Sequence, residues 1–132
     1  MESIKKQKYT WKSFDSDCKK VALWAKRKKI ENIYGIPRGG LVVAVRLSHF
    51  INLPIILDYR KITPKTLVVD DISDSGKTLA NLYNEIKIKP AVATLFWHKD
   101  SLPPDFWCRK KLTWVIFPWE TNTTSKYDNT SI

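Results

Sequence analysis

Leu67-Val68-Val69-Asp70-Asp71-Ile72-Ser73-Asp74-Ser75-Gly76-Lys77-Thr78 carries an apolar strand straight into two adjacent carboxylates and a hydroxyl-rich turn. The apolar residues ending at Val69 suit a fully buried parallel strand, and Leu79, Leu82, Tyr83 and Ile86 follow at the i, i+3, i+4, i+7 spacing of an amphipathic helix. The segment therefore predicts a strand-turn-helix junction. At such a junction the first-turn amides are open and the helix dipole favours an anion, so Ser75, Gly76, Lys77 and Thr78 are candidates to hold a phosphate. Asp70 and Asp71 are poor phosphate ligands but good acceptors for a sugar diol, directly or through Mg²⁺, which favours carboxylate and substrate oxygens. Phosphate on one side and diol on the other describe a ribose 5-phosphate.

Two other readings compete for the same residues. Gly76-Lys77-Thr78 has the ending of a nucleotide-triphosphate phosphate loop, but that pattern needs glycine where Asp71 stands, and a carboxylate there repels polyphosphate. A plain helix start with acidic and hydroxyl caps accounts for Asp74 and Ser75. It does not account for the whole string.

Outward from this junction the chain alternates between strand and helix patterns. Phe14, Cys18, Val21, Ala22 and Ala25 share a helical face, predicting a helix over 15–29; further helices are predicted over 39–52 and 77–87. Strands are predicted over 32–36, 54–59, 66–70, 91–97 and 113–117. The fold class expected is α/β: one domain with a doubly wound, mainly parallel five-stranded sheet and helices on both faces. Ligands of such sheets bind beyond the carboxyl ends of the strands, where the 37–40 and 70–78 loops fall. The domain is expected over 1–120, and 121–132 is polar enough to form a flexible tail.

Composition bounds the function. The 132 residues suffice for one core, and 43% hydrophobic with 27% charged residues is ordinary for a globular chain. No apolar run reaches the ~18 residues of a membrane span, and the start Met1-Glu2-Ser3-Ile4-Lys5-Lys6 lacks a signal-peptide core, so a cytoplasmic protein with no membrane partner is expected. Cys18 and Cys108 are too few and too far apart for a metal or disulfide framework. The net charge of +10, with clusters Lys26-Arg27-Lys28-Lys29 and Arg109-Lys110-Lys111, allows nucleic-acid binding, but phosphate-rich substrates and a solvated helix end explain it more simply.

The 67–78 string resembles the fingerprint of the type I phosphoribosyltransferases, a hydrophobic strand followed by D-D-x-x-[DS]-[TS]-G-x-T. Two more segments support the resemblance, in the family's order. Tyr34-Gly35-Ile36-Pro37-Arg38-Gly39-Gly40-Leu41 is similar to the pyrophosphate loop of the xanthine-guanine and hypoxanthine members, and Trp114-Val115-Ile116-Phe117-Pro118-Trp119-Glu120 to their W-x-x-x-P-W base-covering segment.

The resemblance implies transfer of the 5-phosphoribosyl group from phosphoribosyl pyrophosphate to guanine, xanthine or hypoxanthine in purine salvage, with Mg²⁺ and a homo-oligomeric assembly. It implies Asp74, Asp70 and Asp71 as catalytic residues, the last two as metal ligands. It gives Ser75, Gly76, Lys77 and Thr78 the 5-phosphate, and Arg38, Gly39 and Gly40 the pyrophosphate, with a cis peptide after Arg38. Trp114 and the backbone of Val115 would take the base, with His98 or Lys99 in place of the family's lysine at the six-position oxygen. Family members commonly close a long loop over the site; here 59–65 leaves only a reduced hood. That departure motivates an alternative: a non-catalytic or regulatory module that binds phosphoribosyl pyrophosphate or nucleotides and contacts nucleic acid.

Overall fold

The computed structural model describes residues 6–121, 123 and 124. The element order is β1 (Lys6–Lys8), α1 (Trp11–Ala25), β2 (Asn32–Gly35), α2 (Gly39–Ile51), β3 (Ile55–Ile56), a 3₁₀ turn (Tyr59–Lys61), β4 (Thr66–Ser73), α3 (Lys77–Ile86), β5 (Ala91–Trp97), β6 (Phe106–Lys110) and β7 (Trp114–Ile116). Five strands form a parallel sheet in the order β3-β2-β4-β5-β6. Side chains of a strand alternate between faces. Accordingly Ile33, Leu67, Val69, Ala93 and Leu95 join the cluster with Val21 of α1 and Leu47 of α2, while Tyr34, Val68 and Val92 pack with Leu79, Leu82, Tyr83 and Ile86 of α3. Helices thus cover both faces of the sheet, as the pattern predicts. No helix among the described residues is long and apolar enough to cross a membrane.

Several boundaries differ from expectation. Helix α1 begins at Trp11 rather than 15, because the Thr10 hydroxyl accepts the Ser13 amide at 3.1 Å and caps it. It stops at Ala25, so Lys26 to Lys29 form an exposed run beyond the helix. The strand predicted over 54–59 keeps only Ile55–Ile56, since the Asp58 carboxylate accepts the Arg60 amide at 2.9 Å and turns the chain into the 3₁₀ turn. The connector then ends on buried Ile62. The hood is reduced, as expected.

The largest difference is at the sheet edge. The segment predicted over 113–117 was expected in the main sheet, but Phe106–Lys110 takes that edge and β7 pairs instead with β1, register Lys6↔Trp114 to Lys8↔Ile116. Aromatic rings join this small sheet to the core: Tyr9 meets Phe96 edge-on at 5.0 Å, and Phe117 stacks on Trp119 at 5.0 Å. The return from β5 to β6 uses residues 98–105 without a helix. The Asp105 carboxylate accepts the Val92 amide at 2.8 Å, and the Ser101 hydroxyl donates to the Ser73 carbonyl at 2.9 Å. A buried network ties α1 and β6 to Tyr9, the residue after β1: the Tyr9 hydroxyl and Arg109 Nε donate to Asp17 Oδ2 at 2.5 and 2.7 Å. Burial beside it pushes the pKa of the Cys108 thiol up to about 12. Of the expected tail over 121–132, all but Thr121, Thr123 and Thr124 lies outside the described residues.

Candidate active site

The strand that carries the acids runs further than its apolar residues suggest. Every residue of β4 from Thr66 to Ser73 is buried, and pairing with β5 continues through Ile72↔Phe96 and Ser73↔Trp97. Asp70 and Asp71 are therefore consecutive strand residues, and their side chains leave opposite faces of the sheet. Asp70 lines a hollow of ≈ 220 Å³ together with Ser73, Asp74, Ser75, Gly76, Thr78 and Thr94. Asp71 points the other way, fully buried; a Cβ on Gly39 would sit 1.9 Å from its Oδ2. The sequence reading set both acids beside one ligand, whereas the strand sets them against two different loops.

Those loops meet at the end of β4. The turn at Arg38 is fixed from three sides: the Ile36 amide donates to the Val69 carbonyl at 2.9 Å, the Gly40 amide to the Ile36 carbonyl at 2.8 Å, and Gly39 lies on Asp71. The cis peptide is Pro37-Arg38, before the arginine rather than after it. Arg38 is exposed, and its Nη2 donates to the Thr124 carbonyl at 3.0 Å. Opposite this turn, Gly76 adopts φ 77°, the left-handed conformation that glycine takes without a Cβ penalty, and starts α3. Leu102 backs it closely, because a Cβ on Gly76 would lie 2.9 Å from the Leu102 amide nitrogen. Ser75 Oγ accepts the Lys77 amide at 3.3 Å. Ser75, Gly76 and Thr78 thus line the hollow, while Lys77 is exposed at the start of α3 and outside its lining.

At the far rim Asp74 Oδ2 accepts a hydrogen bond from Lys111 Nζ at 2.8 Å. That ammonium lies 5.1 Å from the centroid of the Trp114 ring. Trp114 is 40% exposed, whereas Val115 beside it is buried, as strand alternation requires. Trp119 of the same segment packs on Phe14 and Phe117 in the core. His98 and Lys99 occupy the turn after β5; His98 Nδ1 accepts the Asp100 amide at 3.4 Å and Lys99 is exposed. Lys111 is the cation that sequence reasoning missed at this corner. The signal was the basic run 109–111 three residues before Trp114, which the sequence reading weighed only as part of the overall positive charge. Two of its members face inward, Arg109 on Asp17 and Lys111 on Asp74.

Among the described residues there is no group of three or more His, Cys, Asp or Glu suited to hold a metal ion. Asp70 and Asp71, facing apart, do not close on one ion. Of these two only Asp70 lines the hollow, which fits an ion such as Mg²⁺ that binds one or two carboxylates and takes its remaining oxygens from substrate and water.

No protein-family model matches the chain, and no curated protein matches it. Solved structures do. The chain is similar to a purine phosphoribosyltransferase from Pyrococcus horikoshii Ot3, at 31% identity and TM-score 0.78 over 88% of this chain and 94% of that one. It resembles the fold of a Helicobacter pylori xanthine-guanine-hypoxanthine phosphoribosyltransferase, at 21% identity and TM-score 0.79 over 93% and 99% of the two chains. A Neisseria gonorrhoeae protein with bound ppGpp has the same fold, at 18% identity and TM-score 0.76 over 98% of each chain.

Proposed function

Because the chain belongs to the type I phosphoribosyltransferases of the purine branch, we propose that it moves the 5-phosphoribosyl group from phosphoribosyl pyrophosphate to guanine, xanthine or hypoxanthine, for purine salvage. The observation that carries this reading is the meeting of two loops at the end of β4, a hydroxyl-lined hollow beside Asp70 and an arginine-glycine turn seated on Asp71.

In this reading Ser75, Gly76 and Thr78 hold the 5-phosphate at the start of α3, where open amides and the helix dipole favour an anion, and Lys77 adds positive charge nearby. Asp70 accepts from the ribose hydroxyls. Mg²⁺, when bound with the donor, would rest on Asp70 and neutralise charge on the departing pyrophosphate. Arg38 exchanges the Thr124 carbonyl for a pyrophosphate oxygen, with the Gly39 and Gly40 segment beside it, and Asp71 positions that turn. The bond from ribose C1 to pyrophosphate oxygen breaks, its electron pair leaving with pyrophosphate. The base nitrogen then forms the new C1–N bond while Asp74 takes a share of the proton on the imidazole ring. Trp114 offers the base a stacking face, and the Val115 backbone lies at its edge. Carboxylates near the ribose stabilise the positive charge that develops on the sugar.

The test is pyrophosphate release with Mg²⁺, phosphoribosyl pyrophosphate and each common base. Nucleoside monophosphate is expected with at least one oxopurine, and silence with every base overturns the reading.

We also favour a homo-oligomer, with a neighbouring copy covering the site that the short connector leaves open. Exposed Trp11 and Val45 border an apolar cleft of ≈ 410 Å³ between α1 and α2, which supports a self-contact. Light scattering is expected to give a mass of at least twice 15.4 kDa; a monomer at assay concentration refutes it.

A further inference from the structure

The exposed guanidinium of Arg38 is engaged by a distant part of its own chain: Nη2 donates to the Thr124 carbonyl at 3.0 Å, across 86 positions of sequence. The segment that delivers this carbonyl is anchored in the core. Trp119 stacks on Phe117 at 5.0 Å and packs against Phe14 and Trp11 at 5.3 and 5.8 Å, and the Glu120 carboxylate accepts the Phe117 amide at 2.9 Å. Trp11 and Phe14 also border the cleft between α1 and α2, together with Leu41 and Val42 of the first turn of α2. The segment therefore leaves the core at the end of α2 where Arg38 stands. Beyond Glu120 two threonines bond each other, the Thr121 amide donating to Thr124 Oγ1 at 2.9 Å and the Thr124 amide to Thr121 Oγ1 at 3.0 Å. This closed pair sets where the Thr124 carbonyl points.

We propose that the segment closed by Thr121 and Thr124 is a built-in competitor for the pyrophosphate seat, a latch that holds Arg38 in the resting chain and yields it to the donor. The inference rests on the pyrophosphate role proposed above for that arginine. A guanidinium presents five N–H donors, and a single neutral carbonyl uses one of them. Phosphate oxygens carry charge and can take two donors in parallel, in bonds roughly twice as strong as neutral ones, so pyrophosphate wins the exchange. The ligand must still open the latch. Apparent affinity is reduced by the fraction of molecules that stand open. The tether at Trp119 keeps the carbonyl close, which favours closure, whereas one exposed neutral hydrogen bond contributes little, which limits it. Together these place the open fraction at roughly one tenth to one half, with a loss of affinity of roughly 2- to 10-fold.

The experiment titrates inorganic pyrophosphate, with Mg²⁺ present, calorimetrically into the full chain and into the full-length double variant Thr121→Val, Thr124→Val. Valine keeps the side-chain shape and deletes both hydroxyls from bonds that lie on the exposed surface. The variant is expected to bind pyrophosphate roughly 2- to 10-fold more tightly. Ribose 5-phosphate, which has no pyrophosphate to place on Arg38, should bind both chains equally. In turnover, KM for phosphoribosyl pyrophosphate should fall in the variant while KM for the base holds. Equal pyrophosphate affinity in the two chains overturns the latch. Weaker binding by the variant overturns it too, because the segment would then be a cover that closes on the bound ligand. If neither chain takes pyrophosphate, Arg38 loses the role given to it above and the latch falls with it. Intact pyrophosphate binding without turnover on any base strikes the transfer reading alone, so the two failures are distinct.

Discussion

Asp74→Asn is expected to lower kcat by about 100-fold or more while leaving affinity for phosphoribosyl pyrophosphate nearly unchanged. The carboxylate lines the hollow but is itself 39% exposed, and it is hydrogen-bonded to Lys111 rather than to the turn proposed to hold the phosphate. Asparagine keeps the size and one oxygen to face Lys111, so the corner should stay assembled. What it cannot do is take a proton from the base as the glycosidic bond forms. Steady-state rates together with calorimetry of the donor separate the two effects. Unaltered turnover would remove Asp74 from the chemistry, and a parallel loss of donor affinity would move it to the phosphate.

Gly35→Ala is expected to destabilise the fold by about 3 kcal/mol, the upper end of what overpacking usually costs. Its added Cβ would lie 2.3 Å from the Gly40 carbonyl oxygen, 2.7 Å from the Gly40 carbonyl carbon and 2.9 Å from Ala44 Cβ. Two of those atoms are backbone, so no rotamer change relieves the clash. Strand β2 and helix α2 must separate, and the Arg38 turn between them moves with α2. Against a typical total stability of about 5–15 kcal/mol this is a large fraction. Thermal unfolding should show the midpoint lowered by roughly 10 °C. A midpoint within roughly 2 °C of the unaltered chain would mean that the packing here is looser than described.

What could be read from the chain alone follows burial. The β4-turn-α3 unit was legible because Leu67 to Val69 give the apolar run of a buried parallel strand and the helix after it repeats at a fixed spacing, and β5 matched residue for residue over Ala91–Trp97. Strand β6 was not, because an edge strand needs only one neighbour, and Arg109 and Lys110 break the apolar pattern. Missing it had two further effects. It placed β7 in the wrong sheet, and it hid Lys111, whose position depends on the β5-β6 register. The acids illustrate a different limit. Their identity was plain, but which way each points depends on whether the strand stops before them or runs past, and only the Ile72↔Phe96 pairing decides that. The Asp58 turn escaped notice because a side chain capturing a backbone amide two residues on overrode an apolar run.

The helix-free return over 98–105 has a consequence for how tightly a ligand can be held. Its backbone sits against Gly76, and Ser101 is bonded to the Ser73 carbonyl, so the turn proposed to hold the phosphate is braced from behind by covalently distant chain. Conformational entropy that a loose loop would lose on meeting its ligand is here lost when the polypeptide folds. If the proposed function holds, preorganisation of this kind would let a small enzyme without a large closing flap bind a highly charged donor tightly.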